Sequence, residues 1–212
     1  MKICIAMKTL IGAAAITLPL MAQAESNVAT GAGTLTATAH VNFSVVIPRV
    51  LYLRVGTGST YTGATPALSS LATQDTITFS PAIGAVGNDT AVAGTGGDLN
   101  NGVETAAIVS NAGSVTLTAT AAGALSDGAG DTIPYTQITT TSAALTSTTA
   151  LPAPTLSNTT SNSVVLTAPA SKLITEDAKW TFSYANAVTA PGGTYGATTA
   201  NNGQITYTAT VP

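Results

Sequence analysis

The side chains of this chain that could do chemistry are few: one histidine, nine acids, six basic residues and one cysteine in 212 residues. His40 stands in Ala37-Thr-Ala-His-Val41, on the polar side of an alternating stretch. A lone imidazole does not build a usual zinc site, and no cysteine is at hand to help it. A Ser-His-acid triad would have to use His40, and nothing in the spacing sets a serine beside it. Paired carboxylates could do acid–base work on a glycosidic bond. Yet Asp89, Asp98, Asp127 and Asp131 fall in Gly- and Asn-rich turns, where Asp bonds nearby backbone. Asp98-Leu-Asn-Asn-Gly-Val-Glu104 carries the hard oxygens that calcium takes. Its glycine comes one position early for the helix-loop-helix pattern and its glutamate is too close. Glu176-Asp177 beside Lys179 reads as a solvated turn. No phosphate loop and no Gly-x-Gly-x-x-Gly opens a helix. The expectation is a non-enzyme with no catalytic residue, no metal and no cofactor, and a secreted hydrolase is disfavoured.

The elements that would have to position any site are strands. Residues 1–24 read as a secretory signal: Lys2 and Lys8, an apolar run from Leu10 to Leu20, then Ala22-Gln-Ala24 for cleavage. Cys4 lies inside it, so the exported chain is expected to have no disulfide. The remaining 188 residues suffice for one β-domain burying roughly 70% of the surface of its unfolded chain. Beyond the signal only Arg49, Arg54, Lys172 and Lys179 are basic. That leaves no patch to neutralise phosphates, so nucleic acid is excluded as a partner, and no polybasic stretch for anionic lipid. No later apolar run reaches the ~20 residues of a membrane span.

Thr and Val are abundant, and Gly, Asn, Asp and Pro recur at short intervals, as in β-sandwiches. Leu35, Ala37, Ala39, Val41, Phe43, Val45 and Ile47 form one long alternating stripe, ended by Pro48. Leu51, Leu53 and Val55 resume it. Ile77 and Phe79 mark a short strand, and residues 84–102 read as loops. Strands are expected at Val103–Ser110 and Ser114–Thr120, with Asn111-Ala-Gly113 as a hairpin turn between them. Ile133–Thr139 and Ser163–Thr167 are further strands. Residues 140–162, with Pro152 and Pro154, are either a long surface connection or a blunted edge strand. Trp180, Phe182 and Tyr184 share one face and are expected at the centre of the core, with a ligand-stacking face as the other reading. Ile205, Tyr207, Ala209 and Val211 alternate to the C-terminus. The fold class is therefore all-β, a single antiparallel sandwich.

The two ends carry a family likeness. Thr194-Tyr-Gly196 and Gly203-Gln-Ile-Thr-Tyr-Thr-Ala-Thr-Val211 resemble the close of secreted fimbrial subunits of the chaperone–usher or spore-coat-U-like type. Ala37-Thr-Ala-His-Val, Val45-Val-Ile-Pro48 and Leu51-Tyr-Leu-Arg-Val-Gly56 look like their donor segment and first strand. Many such subunits carry a disulfide near the front, which this chain lacks beyond its signal. The resemblance implies an incomplete immunoglobulin-like sandwich completed by a strand from the next copy. It divides the chain into a signal at 1–24, a donor extension at 25–43 and a sandwich at 44–212. Leu35, Ala37, Ala39, Val41 and Phe43 would be the donor strand; Ile205, Tyr207, Ala209 and Val211 would form the acceptor edge. Within the chain's own residues the other reading stays open, that 35–47 is an ordinary first strand of its own sheet. The implied partners are other copies in a homopolymer, a periplasmic chaperone and an outer-membrane assembly protein. The implied place is an extracellular filament at the cell surface, reached through the periplasm. The alternative is a self-contained secreted adhesin or carbohydrate-binding sandwich, with Tyr61, Tyr135 and Asp98 as its thin candidates.

Overall fold

The computed structural model describes residues 25–58, 68 and 70–212. The expected signal, Cys4 and Tyr61 lie outside them. The chain divides into two units, one ending at Ile47 and one running from Pro48 to Pro212.

Residues 25–47 hold no strand or helix. The alternating stripe expected there is present in sequence but is not paired into a sheet. Its large side chains are exposed: Phe43 90%, Val45 84% and Ile47 75%. Glu25 Oε2 accepts from the His40 amide at 3.2 Å and lies 2.8 Å from His40 Nδ1, so the only histidine faces a carboxylate and no serine.

The second unit is almost entirely antiparallel β. In chain order its strands are β1 (Leu51–Val55), β2 (Ile77–Thr78), β3 (Val92–Ala93), β4 (Thr95–Gly96), β5 (Val103–Ser110) and β6 (Val115–Ala121). They continue with β7 (Leu125–Ser126), β8 (Thr132–Ile133), β9 (Ile138–Ala143), β10 (Asn162–Leu166), β11 (Ile174–Tyr184) and β12 (Ile205–Thr210). One sheet runs β1-β5-β11-β3, with β9 on the other side of β11; a second runs β10-β6-β12. Short pairs β2–β4 and β7–β8 fill the corners.

Alternation decides what these strands bury. Along β11, Ile174, Ala178, Trp180, Phe182 and Tyr184 point inward and are buried. Central β6 does the same with Val115, Leu117, Ala119 and Ala121. Together with Ala106 and Ile108 of β5 they make one core between the two sheets. The aromatic stripe at 180–184 is thus core.

Three expectations need correction. Asn111-Ala-Gly113 is a turn, but not a hairpin: β5 and β6 never pair, and the turn carries the chain from one sheet to the other. Asn111 holds that corner, accepting from the Val50 amide at 2.8 Å and donating to the Pro48 carbonyl at 2.8 Å. Residues 140–162 are not simply a surface connection. They begin as β9, pairing with β11, and then send Leu151, Pro154 and Leu156 into the core. Glu176-Asp177, expected as a turn, lies within β11.

Candidate interaction groove

Each sheet of the sandwich ends in an edge strand on either side, β1 and β9 in one and β12 and β10 in the other. Among the described residues β1 hydrogen-bonds only to β5, and β12 only to β6, so each is the edge of its sheet. The two edges lie beside each other without sharing a ladder. An unpaired edge presents a row of backbone donors and acceptors to any strand that arrives.

The apolar stripe of β12 shows that the core is not finished there. Ile205, Tyr207, Ala209 and Val211 all face inward against the core, yet each is only half-buried. The equivalent stripe of β6, flanked on both sides, is fully buried. The same contrast holds across the gap, where Leu53 and Val55 of β1 are half-buried and Leu51 is exposed. Three of the four residues expected at an acceptor edge thus lie on one edge strand, and Val211 follows directly after it.

Beside β1 runs a groove of about 440 Å³, lined by Val50–Val55 and by Leu68, Leu71 and Thr73. This groove lies on the β1 side, and the sequence named only the β12 side, because the pairing partner of β1 is more than fifty residues away. Side chains mark both ends of the open edge. Arg49 Nη2 donates to the Pro212 carbonyl at 2.9 Å, where β1 begins and β12 ends. Gln204 Nε2 donates to Gln74 Oε1 at 3.0 Å, where β12 begins.

Tyr207 is the largest side chain on this edge. Its ring lies 5.3 Å from that of Trp180 at 49°, a tilted arrangement favoured by the ring quadrupoles. Burial pushes its hydroxyl well above the usual phenol range, with Tyr135 and Glu104 nearby adding to the shift. Tyr135 is buried too, and its hydroxyl donates to the Asn202 carbonyl at 2.6 Å. Burial raises it to about 12. It is a structural core residue, not an exposed platform for a sugar.

At the Gln204 end three carboxylates converge. Oxygens of Asp75, Asp98 and Glu104 lie within 4.8 Å of one another. All three are engaged, Glu104 by accepting from the Asp98 amide at 3.3 Å. Asp98 pairs with Arg54 Nη2 at 2.8 Å, with both side chains largely buried, and accepts from the Thr105 amide at 2.7 Å. Asp75 takes the Thr57 amide and, at 2.8 Å, the Thr57 hydroxyl. Glu104 is buried. Loss of hydration raises its carboxyl to about 7; the Asp98 amide opposes this and the charges of Asp75 and Asp98 reinforce it. The Asp98–Glu104 loop therefore works as an internal polar junction. Asp75, which completes it, lies too far back in sequence for spacing to reveal.

The fold and this edge define a class: an antiparallel β-sandwich whose first and last strands lie side by side without pairing. Beyond that, comparison with family models, curated proteins and solved structures finds no match to this chain. Among the described residues no helix is long and apolar enough to cross a membrane.

Proposed function

We propose that this chain is a structural, non-catalytic subunit of an extracellular surface filament. The arm preceding Pro48 leaves its own subunit and completes the open edge of the next. One observation carries the reading: the same chain holds an unpaired apolar arm with alternating side chains and a sandwich whose matching stripe is half-covered. A strand laid against β12 would satisfy its free backbone groups and place every second side chain over Ile205, Tyr207, Ala209 and Val211. Leu35, Val41 and Phe43 would each gain about 1.5–3 kcal/mol on full burial. The small Ala37 and Ala39 suit shallow positions between them.

Such donation is head-to-tail. The donating and accepting surfaces differ, so assembly does not close on itself and grows as a filament. The chain's low charge, with six basic and nine acidic residues in all, suits close contact between copies. Secretion through the periplasm with a chaperone covering the edge fits an apolar groove that would otherwise aggregate.

Deleting residues 25–43 tests the reading. The truncated chain should form no filaments by electron microscopy and should still accept an added peptide of residues 35–47. Filaments assembled by the truncated chain would overturn the donor assignment.

A further inference from the structure

The carboxylate junction where the 73–77 segment meets the end of β1 is unusual for a β-sheet core. Glu104 belongs to the inner face of β5, two residues before core Ala106 and opposite Trp180 of β11. It is 5% exposed. The groups that face it are acids and a phenol: Asp75 from the 73–77 segment, Asp98 from the turn before β5, and Tyr207 from β12. Arg54 of β1 reaches this cluster through Asp98. Lys179 belongs to the opposite face of β11 from Trp180 and so does not serve it.

Gly56 shows how tightly the junction is built. Its φ is +79°, and a Cβ there would stand 2.7 Å from Glu104 Oε2 and within reach of Asp75 Oδ2. Backbone and two carboxyl groups are therefore packed face to face, with no side chain between. Buried within 4.8 Å of two other carboxyl groups, Glu104 holds its proton more firmly than a hydrated carboxyl does, and Asp75 is placed to accept it. The 73–77 segment is fixed by this contact at Thr57, just beyond β1, and by Gln74 at Gln204, just before β12. It spans the two edges that the arm would join.

We propose that buried Glu104 keeps its proton and donates it to Asp75, that this proton latches the 73–77 segment across the open edge, and that strand insertion is coupled to its uptake. The coupling rests on reading the edge as a strand acceptor; the shared proton does not. Insertion removes water from the end of the groove, which deepens the burial of Glu104 and strengthens its hold on the proton. By linkage, insertion is then favoured in acid and weakened as pH rises through neutrality.

The test uses the full exported chain made monomeric by Phe43→Asp. Two quantities are measured from pH 5 to 8.5: the thermal midpoint, and the affinity for a peptide of residues 35–47. The expected result is a midpoint that falls as pH rises from 5 to about 7 and levels off above it, and peptide affinity about ten-fold higher at pH 6 than at pH 8.5, the change that one unit of extra shift in Glu104 produces. In Glu104→Gln both steps disappear while the circular dichroism spectrum is kept. If the midpoint step survives in Glu104→Gln, the shared proton is wrong. If millimolar calcium chloride abolishes the step and raises the midpoint at pH 8, the junction holds a cation and the latch is wrong. If the stability step depends on Glu104 but peptide affinity is flat with pH, the coupling is wrong. Absence of peptide binding at every pH, with the stability step intact, sinks the acceptor reading and the coupling with it, and leaves the shared proton standing.

Discussion

Trp180 Nε1 donates a 2.8 Å hydrogen bond to the carbonyl of Leu151, and both residues are fully buried. The Ser142 hydroxyl donates to the same carbonyl at 2.7 Å. One bond thus ties the centre of β11 to the proline-flanked segment that crosses the core after β9. Pro152 removes a backbone donor next to it, so this stretch cannot continue as a ladder and depends on side chains to satisfy it.

Replacing Trp180 with Phe keeps an aromatic ring but removes the donor and leaves volume unfilled. An under-satisfied buried carbonyl and a small cavity together should cost about 2–3 kcal/mol. Urea unfolding of the monomeric Phe43→Asp background measures the difference directly. A loss under half a kilocalorie would mean that the bond is incidental to the core.

Asp177 anchors the other side of the same segment. Partial burial pushes its carboxyl up, but the Ser147 amide, the Thr146 hydroxyl and amide, and the Ser147 hydroxyl outweigh it and hold it at about 2. The Thr146 and Ser147 amides reach it at 2.7 and 2.8 Å. A depressed acid stabilises the fold above its ordinary value of 3.8 and loses that contribution as pH falls through about 2. Asp177→Asn should therefore be less stable than the parent at pH 7, by about 1–2 kcal/mol. The gap should narrow as pH is lowered from 4 to 2. Parallel melts of the two proteins across that range check the sign.

Gly56→Ala probes the junction from its backbone side. An alanine at φ +79° is strained, and its methyl would press on Glu104. Stability should fall by about 1–2 kcal/mol at pH 6, through left-handed strain alone. Because the methyl drives Glu104 and Asp75 apart, the fall in stability between pH 5 and about 7 should also shrink. A variant that is destabilised equally at pH 6 and 8.5 would show strain without any effect on the carboxyl pair.

What could be read from the sequence was local. The period-2 stripes of β11 and β12 identified their inner faces, because alternation is a property of a single strand and survives in the sheet. Sheet membership was not local. Asn111-Ala-Gly113 has the composition of a hairpin turn, and the same residues serve a crossing between sheets; only the distant partners of β5 and β6 decide which. Leu151 was hidden in a Ser/Thr/Ala stretch whose polarity suggested surface, since its burial depends on Trp180, 29 residues later. The acid junction was half visible. Asp98 and Glu104 belong to one turn and drew notice, whereas Asp75 and Arg54 reach them only through the fold. Tyr135 misled for a related reason: a tyrosine near a loop looks available, but its hydroxyl is spent on Asn202.

The arm offers the sharpest separation of assembly from stability. Val41 is 74% and Phe43 90% exposed, so neither supports the subunit that carries it. Charging either one, as Val41→Asp or Phe43→Asp, should leave the thermal midpoint of the monomer unchanged and stop filament growth. An isolated carboxylate pressed into an apolar groove cannot be solvated there. Alternation supplies the control. Asn42 and Ser44 point the other way along an extended strand, so Asn42→Asp and Ser44→Asp should assemble at close to the parent's rate. On the receiving side, Tyr207→Ala should weaken both properties, because that ring packs on Trp180 as well as facing the edge. Light scattering during assembly, paired with melts of the monomers, reads both effects in the same samples. If Ser44→Asp blocks growth as completely as Phe43→Asp, the arm does not enter a neighbour as a strand with one buried face.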